Sequence, residues 1–411
     1  MHDTRARRTL FQGGLVMDGT MSPPRPADVT VADGRIVEVG SDLDGDEVVD
    51  CRGRALLPGM FDCHVHLMIS GMDPAAWLYD PFSLPFYQAA GNMRATLSAG
   101  ITTVRDAGGA DLGVKEAQRR GLVPGPRTHI AISMLSQTGG HGDPWQASGC
   151  ATSIFVPHPG RPQTVVDGPD EVRRKVRELI RAGADVIKVA TSGGVVSARD
   201  DPRHGHFRDA EIAVMVEEAT AAGLSVMSHA AGAEGVKAAL RNGVRSIEHG
   251  IYLDDEAIAL MLERDAWLVP TLIAPRGVLA AAAAGAAIGE HIVAKAKMVI
   301  DAHRDSVRRA IAAGVRVAFG TDTGVTPHGR NLDELPLLVE CGQTPVQALH
   351  TATLSAARLM RLDEEFGSLE PGKRADLVIV DGDPLDVATL AERIERVYQD
   401  GRLVHTADRP G

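Results

Sequence analysis

The chain has 411 residues, with 43 Lys and Arg against 54 Asp and Glu, so its formal net charge is −11. That balance excludes a dedicated nucleic-acid binder, which neutralises phosphates with clustered Lys and Arg. Hydrophobic residues make up 44% and aromatics only 4%, beside 44 Gly, which excludes a disordered chain and leans toward a barrel of branched aliphatics.

The N-terminal stretch MHDTRARRTLFQGG carries charges with no apolar run after it, so no signal peptide is predicted. Residues 28–40, DVTVADGRIVEVG, read as a β-hairpin turning at Asp33-Gly34. FDCHVHL (61–67) is the first strand candidate of a long central region. There a small residue plus Gly stops a helix and an apolar strand follows at once. The pattern stands at Gly100 before ITTVRDA, Gly183 before ADVIKVA, Gly223 before LSVMSHA, Gly243 before VRSIEHG and Gly314 before VRVAFGTD. THIAIS and AWLVPTL bring the strand candidates to eight. Helical patterns alternate with them, such as Val172, Val176, Leu179 and Ile180 on a charged segment. GVLAAAAAGAAIG (277–289) is too short to span a membrane. Near the end, DLVIVD (376–381) and RVYQDGRLV, turning at Asp400-Gly401, repeat the hairpin style.

The alternation predicts an α/β fold, a (β/α)8 TIM barrel over 58–365. The β-rich flanks, 1–57 and 366–411, are expected to pair as a small β-sandwich domain built from both termini. An open doubly wound sheet is the alternative, but no GxGxxG turn follows the first strand. Cys51, Cys63, Cys150 and Cys341 form no CxxC pair, which predicts reduced thiols in a cytoplasmic protein.

Polar residues at the strand ends carry the chemistry. The C-terminal end of each barrel strand points at the active face. The first strand ends in His64-Val65-His66, and a spacing of two puts both imidazoles on one side. Lys188 lies inside VIKVA of the fourth, His229 ends the fifth, His249 the sixth and Asp322 the eighth. Singly, each has a plain structural explanation: an incidental HxH, a paired or snorkelling lysine, a helix cap. Jointly they point to a centre for divalent metals, whose ligands are imidazole and carboxylate.

These residues stand in motifs that resemble the amidohydrolase superfamily: GMFDCHVHL (59–67), GITTVRDAGG (100–109), ADVIKVATSGG (184–194), MSHAAG (227–232), SIEHG (246–250), FGTDTG (319–324) and LEPGKRADLVIVDGDP (369–384). SQTGGHGD (136–143) and TPHGRN (326–331) are similar to its branch of imidazolonepropionase-like proteins, Xaa-Pro-type dipeptidases and ochratoxin-hydrolysing amidases. The resemblance covers nearly the whole chain. It implies a binuclear metal-dependent hydrolase of C–N bonds, with zinc as the expected metal. On that resemblance His64, His66 and Asp322 hold the more buried ion, and His229 and His249 the more exposed one. Lys188 bridges them as an Nζ-carboxylated lysine, and its apolar strand favours the neutral amine that captures CO2. Asp322 then acts as general base and general acid. His141, in GGHGD, hydrogen-bonds the substrate carbonyl as charge develops.

Two long loops are expected to bind substrate. One follows His141; the other, Ser192–Arg208, carries Arg199, Arg203, His204, His206 and Arg208. It is either a solvated loop or a site for a substrate carboxylate, with Arg203, His206 and Arg208 as binding candidates. His328 joins them from TPHGRN. The expected activity is cleavage of an amide bond in a dipeptide or N-acyl amino acid by metal-activated hydroxide. Alternatives are a hydrolase of a cyclic amide, carbamate, urea or other xenobiotic, and a non-catalytic relative, which the six retained ligands disfavour. MSHAAG lacks a larger side chain that many relatives carry there. With few large rings available, polar anchoring of a small-molecule amide is expected, with no nucleic-acid or membrane partner and a homo-oligomeric assembly.

Overall fold

The computed structural model describes residues 7–73, 78–197 and 200–407; Arg199 of the basic loop lies outside them. The chain opens with β1 (Thr9–Val16), β2 (Arg25–Ala32), β3 (Arg35–Gly40), β4 (Glu47–Asp50) and β5 (Arg54–Pro58). The central strands are β6 (Met60–Val65), β7 (Ile101–Asp106), β8 (Arg127–Ile130), β9 (Met134–Leu135) and β10 (Ile187–Ala190). They continue with β11 (Val226–Gly232), β12 (Ser246–Tyr252), β13 (Trp267–Val269) and β14 (Arg316–Val317). The last are β15 (Leu377–Asp381), β16 (Ile394–Gln399) and β17 (Arg402–Thr406).

Each of the eight expected central segments contains a strand, and all pair in parallel. They form two sheets, β6-β7-β8 and β9 through β14. Hydrogen bonds join them at both seams: the Asp185 amide donates to the Ile130 carbonyl at 2.8 Å, and the His66 amide to the Thr323 carbonyl at 2.7 Å. One detail departs from the sequence reading. THIAIS bends at Ile132, whose φ is +69°, so a separate short strand, β9, pairs with the Lys188 strand.

The glycines at 100, 183, 223, 243 and 314 all take positive φ, as helix stops require. Between strands, the helix Pro169–Arg181 buries Val172, Val176 and Leu179 and leaves its arginines outside. The helix Ile273–Ala283 covers only part of the Ala-rich stretch. Among the described residues no helix is long and apolar enough to cross a membrane.

The terminal strands make one mixed sheet, ordered β17-β16-β15-β5-β1-β2-β3, with β4 on β1. The hairpins turn where expected: Asp33-Gly34 and Asp400-Gly401 both have positive φ at each residue, the geometry that matches strand twist. Side chains alternate across this sheet. Leu56, Leu377 and Ile379 pack with Phe11, Val29 and Tyr398, whereas Ala55, Leu57, Val378 and Val380 join the large core of the parallel strands. The flanking sheet is therefore bonded to the central unit through one apolar face. The four cysteines are free thiols, only Cys150 exposed.

Candidate metal centre

The strand ends bring all six predicted ligand residues together. His64 Nε2 and His66 Nε2 lie 3.4 and 3.2 Å from the same Asp322 oxygen, Oδ1. Ligand atoms of His64, His249 and Asp322 fall within 4.8 Å of one another. The His249 ring is 5.0 Å from that of His64 and 4.6 Å from that of His229. Lys188 is buried, and its Nζ has no hydrogen-bond partner. His249 and Asp322 both hold positive φ, at +74° and +59°. Backbone of that kind is costly for residues with a Cβ and is held here by the surrounding structure.

The imidazoles are oriented from behind. His66 Nδ1 donates to the Gly108 carbonyl at 2.8 Å, which leaves Nε2 as a lone pair. Thr271 spends its hydroxyl hydrogen on the Pro270 carbonyl, so it accepts from His249 Nδ1 at 2.7 Å and frees His249 Nε2. His64 Nδ1 donates to Glu248 at 2.8 Å. Glu248 also accepts from Arg105 at 2.9 Å and Ser246 at 2.6 Å, and Arg105 Nε donates to the Cys63 carbonyl at 2.7 Å. Neither Arg105 nor Glu248 appears among the sequence-derived candidates. Their only signal is a charged residue inside an apolar strand, next to a ligand motif.

Charge follows burial and pairing. Burial would raise Glu248, but the Arg105 charge and the His64 hydrogen bond outweigh it and hold the carboxyl at about 2. Burial pushes the Lys188 ammonium down to about 8 against the pull of Glu248 and Asp322. Burial and the neighbouring cations keep His229 and His249 far below the ordinary histidine range. Asp322 is held well below the carboxylate range: burial opposes this, and His64 and His66 overcome it. Neutral imidazoles at His229 and His249, a low-pKa carboxylate at Asp322 and a buried lysine amine without a partner form a donor set that fits divalent metal.

His141 joins from the loop after β9. Its ring stacks on His229, centroids 4.1 Å apart, and its Nδ1 lies 2.8 Å from Ser197 Oγ. The substrate-loop candidates separate. His206 is buried, with Nδ1 unpartnered and Asp200 and His141 as electrostatic neighbours. Arg203 points outward and is paired with Asp201, and Arg208 is exposed at the start of the helix Asp209–Ala221. His328 has both ring nitrogens committed, to Thr96 Oγ1 at 3.2 Å and the Ile69 carbonyl at 3.0 Å. It ties its loop to the helix Leu84–Ser98 and to the segment after β6. One of the few aromatic rings lies beside the candidate ligands. Phe155 stacks on His66 at 5.9 Å and is backed by the Arg161 guanidinium at 5.6 Å.

The amidohydrolase family profile matches residues 55–404. Ochratoxinase from Aspergillus niger is 33% identical over 97% of this chain and 87% of its own. Imidazolonepropionase from Geobacillus kaustophilus is 29% identical over 85% and 82%. The crystal structure of a Xaa-Pro dipeptidase with methionine bound in its active site superposes with a TM-score of 0.89 at 32% identity, covering 97% of this chain and 100% of that one. The match takes in β6 through β14, and with them every strand end that carries a candidate ligand residue. The chain belongs to the amidohydrolase family.

Proposed function

We propose that the protein is a binuclear metal-dependent hydrolase that cleaves the amide bond of a dipeptide or N-acyl amino acid. The observation that carries this is the convergence of His64, His249 and Asp322 beside the buried, unpartnered Lys188 Nζ. On this reading β6 to β14 close as an eightfold barrel spanning 58–365, supported by the hydrogen bonds at both seams, with 1–57 and 366–411 contributing one small β-domain. His64, His66 and Asp322 would hold one ion and His229 and His249 the other, with Lys188, carboxylated at Nζ, as a shared anionic donor. Zinc suits this set of nitrogen and oxygen donors. When bound, such ions supply a water of lowered pKa and polarise the scissile carbonyl. Asp322 would take up the proton of the attacking water and pass it to the leaving amine. With Nδ1–H donated to Ser197, His141 would donate from Nε2 to the carbonyl oxygen with both ring nitrogens protonated, beside the Asp200 carboxylate. Of the basic loop, His206, buried near His141 with Nδ1 unpartnered, would meet the polar end of a substrate.

A second reading, a hydrolase of an apolar cyclic or xenobiotic amide, is favoured by one observation. Arg203 is neutralised by Asp201 while Phe155 borders His66. Metal analysis and a substrate panel of Xaa-Pro dipeptides, N-acyl amino acids and aryl carbamates test both. The first reading requires bound metal and fastest turnover on carboxylated amides. It also requires loss of turnover in Asp322→Asn and of metal in Lys188→Ala. Full activity of Asp322→Asn would overturn it.

A further inference from the structure

The loop after β10 is held by a helix far from it in sequence. Lys295, on the helix Glu290–Ala313, donates from Nζ to the carbonyls of Gly194 at 3.1 Å and Ser197 at 2.9 Å, and also to the Asp200 carbonyl. The same ammonium lies 3.3 Å from Asp200 Oδ1. The Asp200 side chain is 2% exposed, so its charge is almost wholly removed from water. A buried carboxylate persists only when its oxygens are satisfied. Here Oδ2 accepts the Gly194 amide at 3.0 Å, and Oδ1 accepts the Ser197 hydroxyl. The cluster ends on one ring: His141 Nδ1 is 2.8 Å from Ser197 Oγ and 3.4 Å from Asp200 Oδ2. Beneath that ring lies Gly194, where a Cβ would overlap the imidazole.

We propose that Asp200 and Lys295 are positioning residues for His141, which they hold through Ser197 and the backbone of Gly194 so that Nε2 faces the substrate carbonyl. The inference rests on the role given to His141 above and adds what sets its geometry. Three separate segments must agree for the ring to sit flat against Gly194. A rotation of the imidazole about Cβ–Cγ would lose the Ser197 contact and carry Nε2 out of line. Such misplacement costs turnover while leaving the metal ligands untouched. Lys295 keeps the loop from drifting, and Asp200 keeps the ring from turning.

A double-mutant cycle tests this on the zinc-loaded full chain, with the fastest Xaa-Pro dipeptide or N-acyl amino acid of the panel as probe. Asp200→Asn alone should lower kcat by about tenfold or more, with KM changed less. In a His141→Asn background the same substitution should lower kcat less than about twofold, because the ring it orients is gone. Lys295→Met should show the same dependence on His141, so the cycle survives if one variant folds poorly. Metal content and the melting curve are read alongside, and a merely structural role would move those equally in both backgrounds. Equal losses of kcat with and without His141 would overturn the positioning role while leaving the hydrolase reading intact. An unchanged kcat in His141→Asn would overturn both the inference and the role of His141.

Discussion

The Glu248–Arg105 pair offers a stability test that needs no substrate. Glu248→Gln keeps the shape of the side chain and removes its charge. In the wild type the carboxylate is fully buried and accepts from His64, Arg105 and Ser246. Its carboxyl stands at about 2 against an ordinary 4.5, a difference worth about 3 kcal/mol. The second route to the magnitude agrees: a buried cation left without its partner costs about 3–5 kcal/mol. Because the folded value is the lower one, this stabilisation is present above pH 4.5 and is lost as pH falls through about 2. Urea unfolding of the metal-free protein at pH 7 should therefore show Glu248→Gln less stable by about 3 kcal/mol. Arg105→Met combined with Glu248→Gln should recover part of that loss, since no charge is then stranded. Zinc affinity should also fall about 10–100-fold, because His64 loses the acceptor that fixes its tautomer. A midpoint for Glu248→Gln equal to the wild type, or a double variant no better than the single, would refute the reasoning.

Gly194→Ala should lower kcat by about tenfold with metal content unchanged, since its new methyl displaces the His141 ring; retained kcat would place that ring elsewhere in the working enzyme. Phe155→Ala should raise KM for amides with apolar side chains by about tenfold and spare small polar ones, because it removes the ring stacked on His66. Steady-state kinetics on paired substrates decides it. Burial lowers His303 to about 4, so its neutral form stabilises the fold above pH 6.5 and that contribution, about 3 kcal/mol, is lost as pH falls toward 4. The stability curve of His303→Gln between those pH values should be flatter by that amount; parallel curves would contradict the assignment.

The parallel strands, the helix stops at Gly183 and Gly314 and the convergence of the six candidate ligand residues at the strand ends were legible in the sequence. Strand alternation and the left-handed backbone of a helix C-terminus depend on neighbours in the chain. His64 and His66 share a face because they are two residues apart, whatever else surrounds them. The break at Ile132 was not legible, since a β-branched residue at positive φ contradicts local preference. The partners of the loop candidates were the least legible: Arg203 pairs with Asp201, and His328 with Thr96 and the Ile69 carbonyl.

By itself, then, the order of residues determined the alternation of strand and helix and the identity of the groups facing the centre. Only the tertiary structure decided what stands behind and around them: Glu248 and Arg105 under His64, Lys295 reaching across to Asp200, and Phe155 over His66. The division has a physical cause. Backbone periodicity acts over a few residues. Charge pairing and ring stacking act over a few ångströms, between segments 89 to 184 positions apart in the chain for these contacts, and no local pattern records which distant side chain will arrive there.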